Sequence, residues 1–358
     1  MKKMIALVLS CLMLLALFSC AADKPNGPQT SGSPAQSNAP AGPAGGKVTI
    51  KISTSQLPTQ QMGKGVAMLK EKLEEKLGDG VDVMTYDSAA LYSSNEEIGA
   101  CQRNEIQIAF TTGGTMETIS EKIQLVKAPY LFPSIDVAYD VLDSSAFADE
   151  IFAPIHDVGL TCAGLFSSGH AIYANDDHPL KTPADFSGLK MRAPGTMDSM
   201  TLEALGAVAM TTASDETFSA IQQGVIDGMS TPSSVFVPRR FFEVQHYVTD
   251  GDNISMQLGY IIMNTAWFEG LDEGVRAKVD EALNETITQM RTDIEASTAE
   301  VFEKIEAEGC EVYRLTDEER AQWEQATQAV YDKVAQSLGQ DLIDLAQKCV
   351  AESAAAKS

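Results

Sequence analysis

Arg192 is the residue whose surroundings point most directly to binding chemistry. No lysine or arginine occurs between Lys127 and Lys181, and none occurs between Arg192 and Arg239. Arg192 ends a short apolar segment, and a Pro-Gly pair that follows closely predicts a sharp turn. A guanidinium at such a turn can hold a carboxylate through two parallel hydrogen bonds. An internal salt bridge to one of the many acidic side chains is the alternative, and the residue pattern alone leaves both open.

Motifs of catalytic and metal sites are missing from the sequence. It has no GxSxG, HExxH, GxxxxGK[ST] or spaced GxGxxG motif, and its cysteines form no CxxC pair. No two histidines are three to five residues apart, so each is interpreted as a surface or packed residue. The histidines are His156, His170, His178 and His246. We therefore expect no metal and no cofactor. A hydrolase with paired carboxylates stays possible, although no pattern favours it.

The segments around Arg192 alternate between strand-like and helix-like patterns. Short apolar or period-two runs predict strands at 48–53, 81–86, 106–110, 158–166, 189–193, 207–210 and 225–230. Helical spacing predicts helices at 63–77, 96–104, 196–205 and 216–223. This order predicts an α/β fold with mainly parallel, doubly wound sheets. In such sheets ligands bind at the carboxyl ends of strands, which is where Arg192 is expected.

The N-terminus has the layout of an export signal. Two lysines precede a short apolar run, residues 5–18, which is too short for a comfortable membrane span. The run ends in Leu-Phe-Ser-Cys, which predicts a lipoprotein signal peptide over 1–20 with a lipid on Cys20. A plain signal peptide and an N-terminal anchor helix are the alternatives. Residues 21–46 lack large apolar side chains and are rich in Pro, Gly, Ser and Ala, so they predict a flexible tether.

The composition excludes some classes of partner. The chain of 358 residues is 44% hydrophobic, so it can bury a large core, and its length predicts about two domains or one two-lobed unit. Its 26 basic and 50 acidic side chains give a formal net charge of -24. This charge argues against nucleic acid as a partner and against loose adhesion to anionic lipid headgroups.

Four cysteines remain after the predicted signal peptide, and an exported location permits disulfides. Cys101 and Cys162 lie in apolar segments, which favours buried free thiols. Cys310 and Cys349 could form a disulfide, although nothing in their spacing requires one.

Five segments resemble, in their order, the DctP-type solute-binding proteins of tripartite ATP-independent periplasmic (TRAP) transporters. The resemblance covers roughly residues 47–310, and its most specific parts are GLKMRAP and QQGVIDG. The segments are KAPYLF at 127–132, DFSGLKMRAP at 185–194, ALGA at 204–207, QQGVIDG at 222–228 and FEVQ at 242–245. The resemblance implies a two-lobed periplasmic-binding-protein-like fold, with a helix-flanked sheet in each lobe and one long helix, near 272–308, that spans both lobes.

The resemblance also implies limits for the two lobes. Lobe I is expected to contain 47–169 plus about 257–296. Lobe II is expected to contain 170–256 plus about 297–350.

A ligand site around Arg192 is a further implication, because this residue corresponds to the arginine that clamps the ligand carboxylate in the family. Thr231 and Met229 stand where many members have a pocket asparagine and a glutamine, and Ser214 stands where several have an aromatic residue. Ile172 takes the place of a second arginine, so a monocarboxylate is expected rather than a dianion. The other candidate pocket residues are Gln56, Thr111, Thr112, Phe166, Ser168, Phe236 and Tyr260. Ordinary core packing is the alternative for the aromatic ones.

Three hypotheses of function differ in what happens to the bound acid. In the first, a lipid-anchored solute-binding protein, facing the periplasm or the cell exterior, hands a small organic acid to the membrane subunits of a TRAP permease. In the second, a sensory lipoprotein presents the acid to a signalling receptor, and neighbouring permease or receptor genes would separate these two. The third is an extracytoplasmic enzyme acting on acids, which turnover of a bound ligand would reveal. The missing catalytic motifs place the enzyme last.

Overall fold

Alternating strand and helix segments fold into two β-sheets covered by helices within residues 47–357, which the computed structural model describes. The α/β fold predicted from the sequence is confirmed. The predicted signal peptide, Cys20 and the tether lie outside the described residues. Within 47–357, no helix is both long and apolar enough to cross a membrane.

Eleven strands and twelve α-helices make up the described part of the chain. The strands are β1 (Val48–Ser53), β2 (Val81–Tyr86), β3 (Ile108–Thr112), β4 (Leu160–Ser167), β5 (Ala171–Asn175), β6 (Lys190–Ala193), β7 (Val208–Thr211), β8 (Gly228–Pro232), β9 (Tyr247–Asp250), β10 (Leu258–Asn264) and β11 (Glu311–Arg314). The helices are α1 (Gln61–Leu77), α2 (Glu97–Gln102), α3 (Gly113–Met116), α4 (Ile135–Ser144), α5 (Ala146–Asp157), α6 (Thr196–Leu205), α7 (Thr217–Gln222), α8 (Ser233–Phe236), α9 (Thr265–Glu269), α10 (Glu273–Ala307), α11 (Asp317–Leu338) and α12 (Gln340–Lys357).

The first sheet has the strand order β2-β1-β3-β10-β4. β1 runs parallel to β2 and β3, so the carboxyl ends of these strands lie at the same edge. Because successive side chains of a strand point to opposite faces, Val81 and Val83 of β2 are buried while Asp82 and Met84 are exposed. The buried face of β1 and β2 packs against α1 and α10.

The second sheet has the strand order β11-β9-β5-β8-β6-β7. β6 lies between β7 and β8 and is parallel to both, so the carboxyl ends of these three strands also meet at one edge. α6 follows β6 directly and ends at Gly206, whose φ of 106° is a conformation that favours glycine. The strand, turn and helix predicted around Arg192 are confirmed, and α6 has the predicted bounds.

Both sheets of the described residues are mixed, whereas the sequence predicted mainly parallel ones. Parallel pairs make up two of the four in the first sheet and three of the five in the second. The chain passes from the first sheet to the second between β4 and β5, returns between β9 and β10, and passes again to the second sheet through α10, which leads to β11. The antiparallel pairs are those of β5 and β10, the two strands that begin after the first two of these crossings.

α10 is the long helix that the sequence predicts near 272–308. Its 35 residues give it a length of roughly 50 Å. It contacts α1 and β4 beside the first sheet, and α8 and β11 beside the second. The prediction of a helix that spans both lobes is confirmed. The limits of lobe I and lobe II stay a prediction, and α12, partly expected in lobe II, packs against α4 and α5 beside the first sheet.

The four cysteines among the described residues are free thiols. Cys101 is buried and Cys162 is half-buried, as their apolar surroundings predicted. The disulfide considered between Cys310 and Cys349 is wrong. Cys310 packs beside β9 and donates to the carbonyl of Gln245 at 3.4 Å, whereas Cys349 packs in the core that contains α4 and α5. Sequence spacing could not show that these thiols belong to different cores.

Candidate ligand-binding site

A cavity of about 640 Å³ lies where the carboxyl ends of parallel strands from both sheets face each other. Gln56 follows β1 and Thr112 ends β3 on the side of the first sheet. Arg192 lies in β6, Ser214 follows β7, and Thr231 lies in β8 on the side of the second sheet. The strand ends therefore bring five residues that are distant in sequence around one cavity, as the general rule for α/β sheets predicts.

The side chain of Arg192 is buried but has no carboxylate partner. Only 4% of the residue is exposed. Its Nε donates to the carbonyl oxygen of Thr212 at 3.0 Å and its Nη1 donates to that of Ser230 at 3.1 Å. Within residues 47–357, Nη2 has no hydrogen-bond acceptor and no acidic group lies within 4.0 Å of the guanidinium. The internal salt bridge, which the sequence left open, is therefore not formed with the described residues.

The charge of Arg192 is poorly neutralised in this position. Burial lowers the pKa of Arg192 to about 10, and the positive charge of Arg239 lowers it further. The negative charges of Asp198 and Asp215 raise it but do not offset these effects. A pKa of about 10 leaves the guanidinium protonated at neutral pH. A buried charge is costly unless it is paired, so this arrangement favours an anionic ligand that supplies the missing carboxylate.

Polar side chains predicted from the sequence surround Arg192 in the cavity wall. They are Gln56, Thr112, Ser168, Ser214 and Thr231. Thr112 caps α3, because its Oγ1 accepts a hydrogen bond from the third residue of the following turn. Thr231 is 2% exposed and Gln56 is 3% exposed, so water has little access to either side chain. Hydroxyl and amide groups in such positions can donate to ligand oxygen atoms or accept from ligand hydroxyls. Their ligand contacts stay a prediction.

Other candidates lie in the hydrophobic core or behind the cavity wall. They are Thr111, Phe166, Met229, Phe236 and Tyr260. Thr111 is next to Thr112 in β3 and therefore points to the opposite face of the sheet. Met229 and Phe236 pack in the core that covers the second sheet, and Tyr260 packs in the core below α5. The residue types suited a pocket, but the sequence could not show which face of each strand meets the cavity.

The sequence did not predict a buried ion pair in the cavity wall. Lys127 Nζ donates to Asp198, and the two side chains are 6% and 2% exposed. Lys127 lies between β3 and β4 of the first sheet, whereas Asp198 lies in α6 beside the second, so the pair joins the two sides of the cleft. The carboxylate of Glu117 accepts a hydrogen bond from the backbone N–H of Thr196 at 2.7 Å. Burial raises the pKa of Glu117, although the positive charge of Lys127 acts to lower it. The only sequence signal was the position of Lys127 at the start of the KAPYLF segment.

Two glycines let the sides of the cleft touch. A Cβ on Gly114, in α3, would lie 2.2 Å from the carbonyl oxygen of Pro194, which follows β6. A Cβ on Gly195 would lie 2.6 Å from a carboxylate oxygen of Glu117. Neither contact leaves room for a side chain. The walls therefore meet at this end of the cavity.

The histidines lie apart from this site. His170 contacts Asp250 at 3.0 Å, and His246 contacts Asp176. In the part of the chain that the structure describes, no histidine lines the cavity and no cluster of three His, Cys, Asp or Glu residues could hold a metal ion. The cavity lining combines Arg192 and Lys127 with neutral polar groups and with Glu117, Glu121 and Glu216. Lys127 is paired with Asp198, so Arg192 is the lining cation that has no carboxylate partner among residues 47–357.

A comparison with protein families identifies the family whose members share this sequence pattern. The family model DctP, described as "Bacterial extracellular solute-binding protein, family 7", matches residues 52–337. The chain belongs to this family. It is thus a solute-binding protein of the TRAP type, and the resemblance stated from the sequence is confirmed.

Relatives of this solute-binding protein include proteins with named ligands. It is 28% identical over 309 residues to the C4-dicarboxylate-binding periplasmic protein DctP of Rhodobacter capsulatus, covering 85% of this chain and 92% of that protein. A TRAP periplasmic solute binding protein from Sulfurospirillum deleyianum, crystallised with bound succinate, has a TM-score of 0.78 at 25% identity and covers 84% and 99% of the two chains. The sugar acid binding protein DctPAm from Advenella mimigardefordensis, in complex with galactonate, has a TM-score of 0.80 at 19% identity and covers 86% and 99%. At this identity the last match supports the fold alone.

Proposed function

We propose that this protein captures a small organic acid between its two lobes and delivers it to the membrane permease of a TRAP transporter. Arg192 holds one carboxylate of the acid, and Thr112, Ser214 and Thr231 contact its other polar atoms. The protein is exported and held at the membrane by a lipid on Cys20. Its excess of acidic side chains does not oppose an anionic ligand, because exposed charges are screened within about 8 Å at physiological salt.

The unpaired guanidinium of Arg192 carries this proposal. Two backbone carbonyls fix its orientation, and its Nη2 has no acceptor among the described residues. A carboxylate oxygen at this nitrogen would complete its hydrogen bonds and neutralise a desolvated charge. A cavity of about 640 Å³ lies within the range usual for small-molecule sites. The named ligands of the relatives, C4-dicarboxylates and succinate, are acids of this kind.

Binding would act by stabilising the closed arrangement of the cleft. Arg192 and Thr231 come from the second sheet, whereas Gln56 and Thr112 come from the first. A ligand reaches all of them together only when the two sides are close. The acid therefore shifts an equilibrium between open and closed states, because its contacts in the two states differ.

A thermal-shift screen of organic acids tests this proposal. Each acid is paired with its primary amide, which has the same shape without the charge. At a concentration of roughly 100 times its Kd, a bound acid stabilises the folded state by about 2.7 kcal/mol. The melting temperature of the protein therefore rises with the acid, whereas the amide has no effect. Amides that stabilise as well as their acids would overturn the role of Arg192. A broad screen in which no acid raises the melting temperature would overturn organic-acid binding.

Delivery and anchoring need separate measurements. Proteoliposomes that contain the TRAP permease of the producing organism should accumulate the radiolabelled acid only when the protein is added. Uptake that is independent of the protein would contradict delivery. Cells grown with radiolabelled palmitate should label the wild-type protein but not the Cys20→Ser variant. Equal labelling of both would contradict a lipid anchor on Cys20.

A further inference from the structure

A carboxyl group bridges the two sides of the cleft beside the ion pair of Lys127 and Asp198. Glu117 directly follows α3, on the side of the first sheet, and it lines the cavity. Its Oε2 accepts a hydrogen bond at 2.7 Å from the backbone N–H of Thr196, the first residue of α6, on the side of the second sheet. The carboxyl group lies so close to Gly195 that a Cβ there would be 2.6 Å from Oε1. It is therefore enclosed only while the two sides are together.

The second oxygen of this carboxyl group lacks a hydrogen-bond donor. Oε1 of Glu117 is buried, and no donor of residues 47–357 reaches it. A buried carboxylate oxygen without a donor is costly, whereas a protonated carboxyl group has no charge to desolvate. Burial accordingly raises the pKa of Glu117 above its ordinary value of 4.5, although Lys127 and the N–H of Thr196 oppose the rise. In an open cleft water would reach both oxygen atoms, and the cause of this rise would be lost.

The neighbouring charges make Glu117 the acid in excess. Lys127 attracts the carboxylate of Glu117, but Lys127 is already paired with Asp198. Two carboxyl groups therefore share one ammonium group, which favours a proton on one of them. Because Asp198 contacts Lys127 directly, Glu117 is the one that takes the proton. Arg192 also acts on Asp198, but in the proposed function its charge is matched by the carboxylate of the ligand. The titratable and charged groups around Glu117 are Glu121, Lys127, Arg192, Asp198 and Tyr260.

We propose that Glu117 is a proton-binding site that forms when the cleft closes, so that capture of an anionic acid takes up a proton from solvent. The proton offsets the negative charge that the acid brings into a cavity already lined by Glu117, Glu121 and Glu216. Opening of the cleft releases the proton together with the acid. The uptake of a proton with the acid rests on the proposed function, whereas the effect of the proton on closure of the ligand-free protein does not.

The direction of the pH dependence follows from the two states of the cleft. The closed state binds the proton more tightly than the open state, because the pKa of Glu117 is raised only where the carboxyl group is enclosed. Closure and acid binding are therefore strengthened as the pH falls towards 4.5, the ordinary pKa of the group. They are weakened as the pH rises through the pKa of the closed state. The ratio of closed to open protein changes at most tenfold for each unit by which the two pKa values differ.

Distances across the cleft of the ligand-free protein test the proton site without an acid. Nitroxide labels are attached after Leu91→Cys, which follows β2, and Ser219→Cys, in α7, since both residues are exposed and uncharged. Cys162, the half-buried native thiol, is replaced by serine. Double electron–electron resonance should show that the closed fraction rises from pH 8 to pH 5.

Two variants show whether Glu117 causes this rise. In Glu117→Gln the amide has the shape of the protonated acid, so the closed fraction should be the same at both pH values. Glu216→Gln is the matched control, because Glu216 also lines the cavity but is exposed. It should keep the rise.

Calorimetry counts the proton that is taken up with the acid. Succinate and the acid with the largest effect in the thermal-shift screen are titrated at pH 6.5 in buffers of different ionisation enthalpy. The dependence of the measured heat on the buffer gives the number of protons taken up. The wild-type protein should take up more protons than Glu117→Gln, by a fraction of one proton per acid. This difference excludes proton exchange by the acid itself, which is the same for both proteins.

The outcomes separate this inference from the proposed function. Equal proton uptake by the wild-type protein and Glu117→Gln would overturn the inference, although organic-acid binding would stand. A closed fraction of the wild-type protein that stays constant from pH 8 to pH 5 would overturn it too. So would a rise that persists in Glu117→Gln, which would assign the proton to another group such as His170. If no acid bound, the proposed function would fail, and the distances in the ligand-free protein would still decide the proton site.

Discussion

Gly114 should determine how closely the two sides of the cleft can approach. It lies in α3 on the side of the first sheet, and a Cβ built on it would be 2.2 Å from the carbonyl oxygen of Pro194 on the other side. Carbon and oxygen atoms in ordinary contact are about 3.3–3.6 Å apart, so an alanine would hold the walls about 1 Å further apart. A ligand hydrogen bond near 2.9 Å that is stretched by this amount is no longer a hydrogen bond.

The expected effect of Gly114→Ala is a loss of affinity without a loss of stability. Overpacking of a closed interface costs about 1–3 kcal/mol, which corresponds to a Kd that is roughly 5- to 150-fold weaker. The substitution should raise the free energy of the closed state alone, because Gly114 and Pro194 lie on opposite sides of the cleft and are in contact only when it is closed. In the ligand-free protein an alanine at a helical position is more stable than glycine by about 0.5–1 kcal/mol, so its melting temperature should not fall.

Calorimetric titration of Gly114→Ala with the acid identified by thermal shift measures this effect. Gly274→Ala is the matched control, because Gly274 is also helical and a Cβ there meets nothing within 4 Å. The control should bind as the wild-type protein does. If Gly114→Ala also binds as tightly as the wild-type protein, the contact with Pro194 does not limit closure and the reasoning is refuted.

Three further predictions concern the ion pair, a buried acid and a hydroxyl. Lys127→Met leaves Asp198 buried without its partner and should lower the free energy of unfolding by about 3–5 kcal/mol. The double variant Lys127→Met/Asp198→Leu should recover much of this loss. If urea unfolding shows no recovery, the pairing is contradicted. Burial raises the pKa of Glu97 from 4.5 to about 8. The folded state therefore keeps a proton that the unfolded state releases, and stability falls as the pH rises between these values. Urea unfolding should show that the free energy of unfolding of Glu97→Gln rises relative to that of the wild-type protein from pH 5 to pH 8, by at most about 4 kcal/mol. Equal pH profiles would refute this. Thr231→Val should weaken acid binding by about 0.5–1.5 kcal/mol in calorimetry while the melting temperature stays constant, and unchanged affinity would exclude a hydroxyl contact.

Features that depend on neighbouring residues could be predicted from the sequence. α6 was predicted with its correct bounds because Gly206 closes it and the Pro-Gly turn opens it. The long α10 was predicted because its helical pattern continues without a proline or a glycine near its middle. Arg192 was selected because the sequence around it lacks other positive charges, and the structure then placed it in the cavity wall without a carboxylate among the described residues.

Features that depend on pairing between distant segments could not be predicted. The ion pair of Lys127 with Asp198 joins residues from different sides of the cleft, and neither residue signals the other in the sequence. Tyr260 lies in β10, whose residues are all buried, so the strand carries no alternation that could assign its face.

The affinity of Arg192→Gln for the identified acid tests the central claim most directly. The wild-type guanidinium is expected to make charge-assisted hydrogen bonds worth about 1.5–3 kcal/mol each, so loss of two of them should weaken the Kd by at least roughly 100-fold. The ligand-free variant should be as stable as the wild-type protein or more stable, because it no longer buries an unpaired cation. Lys190→Gln removes an exposed charge from the same strand and should bind normally. If calorimetry shows that folded Arg192→Gln binds the acid as tightly as the wild-type protein, the carboxylate is not held by Arg192 and the account is contradicted.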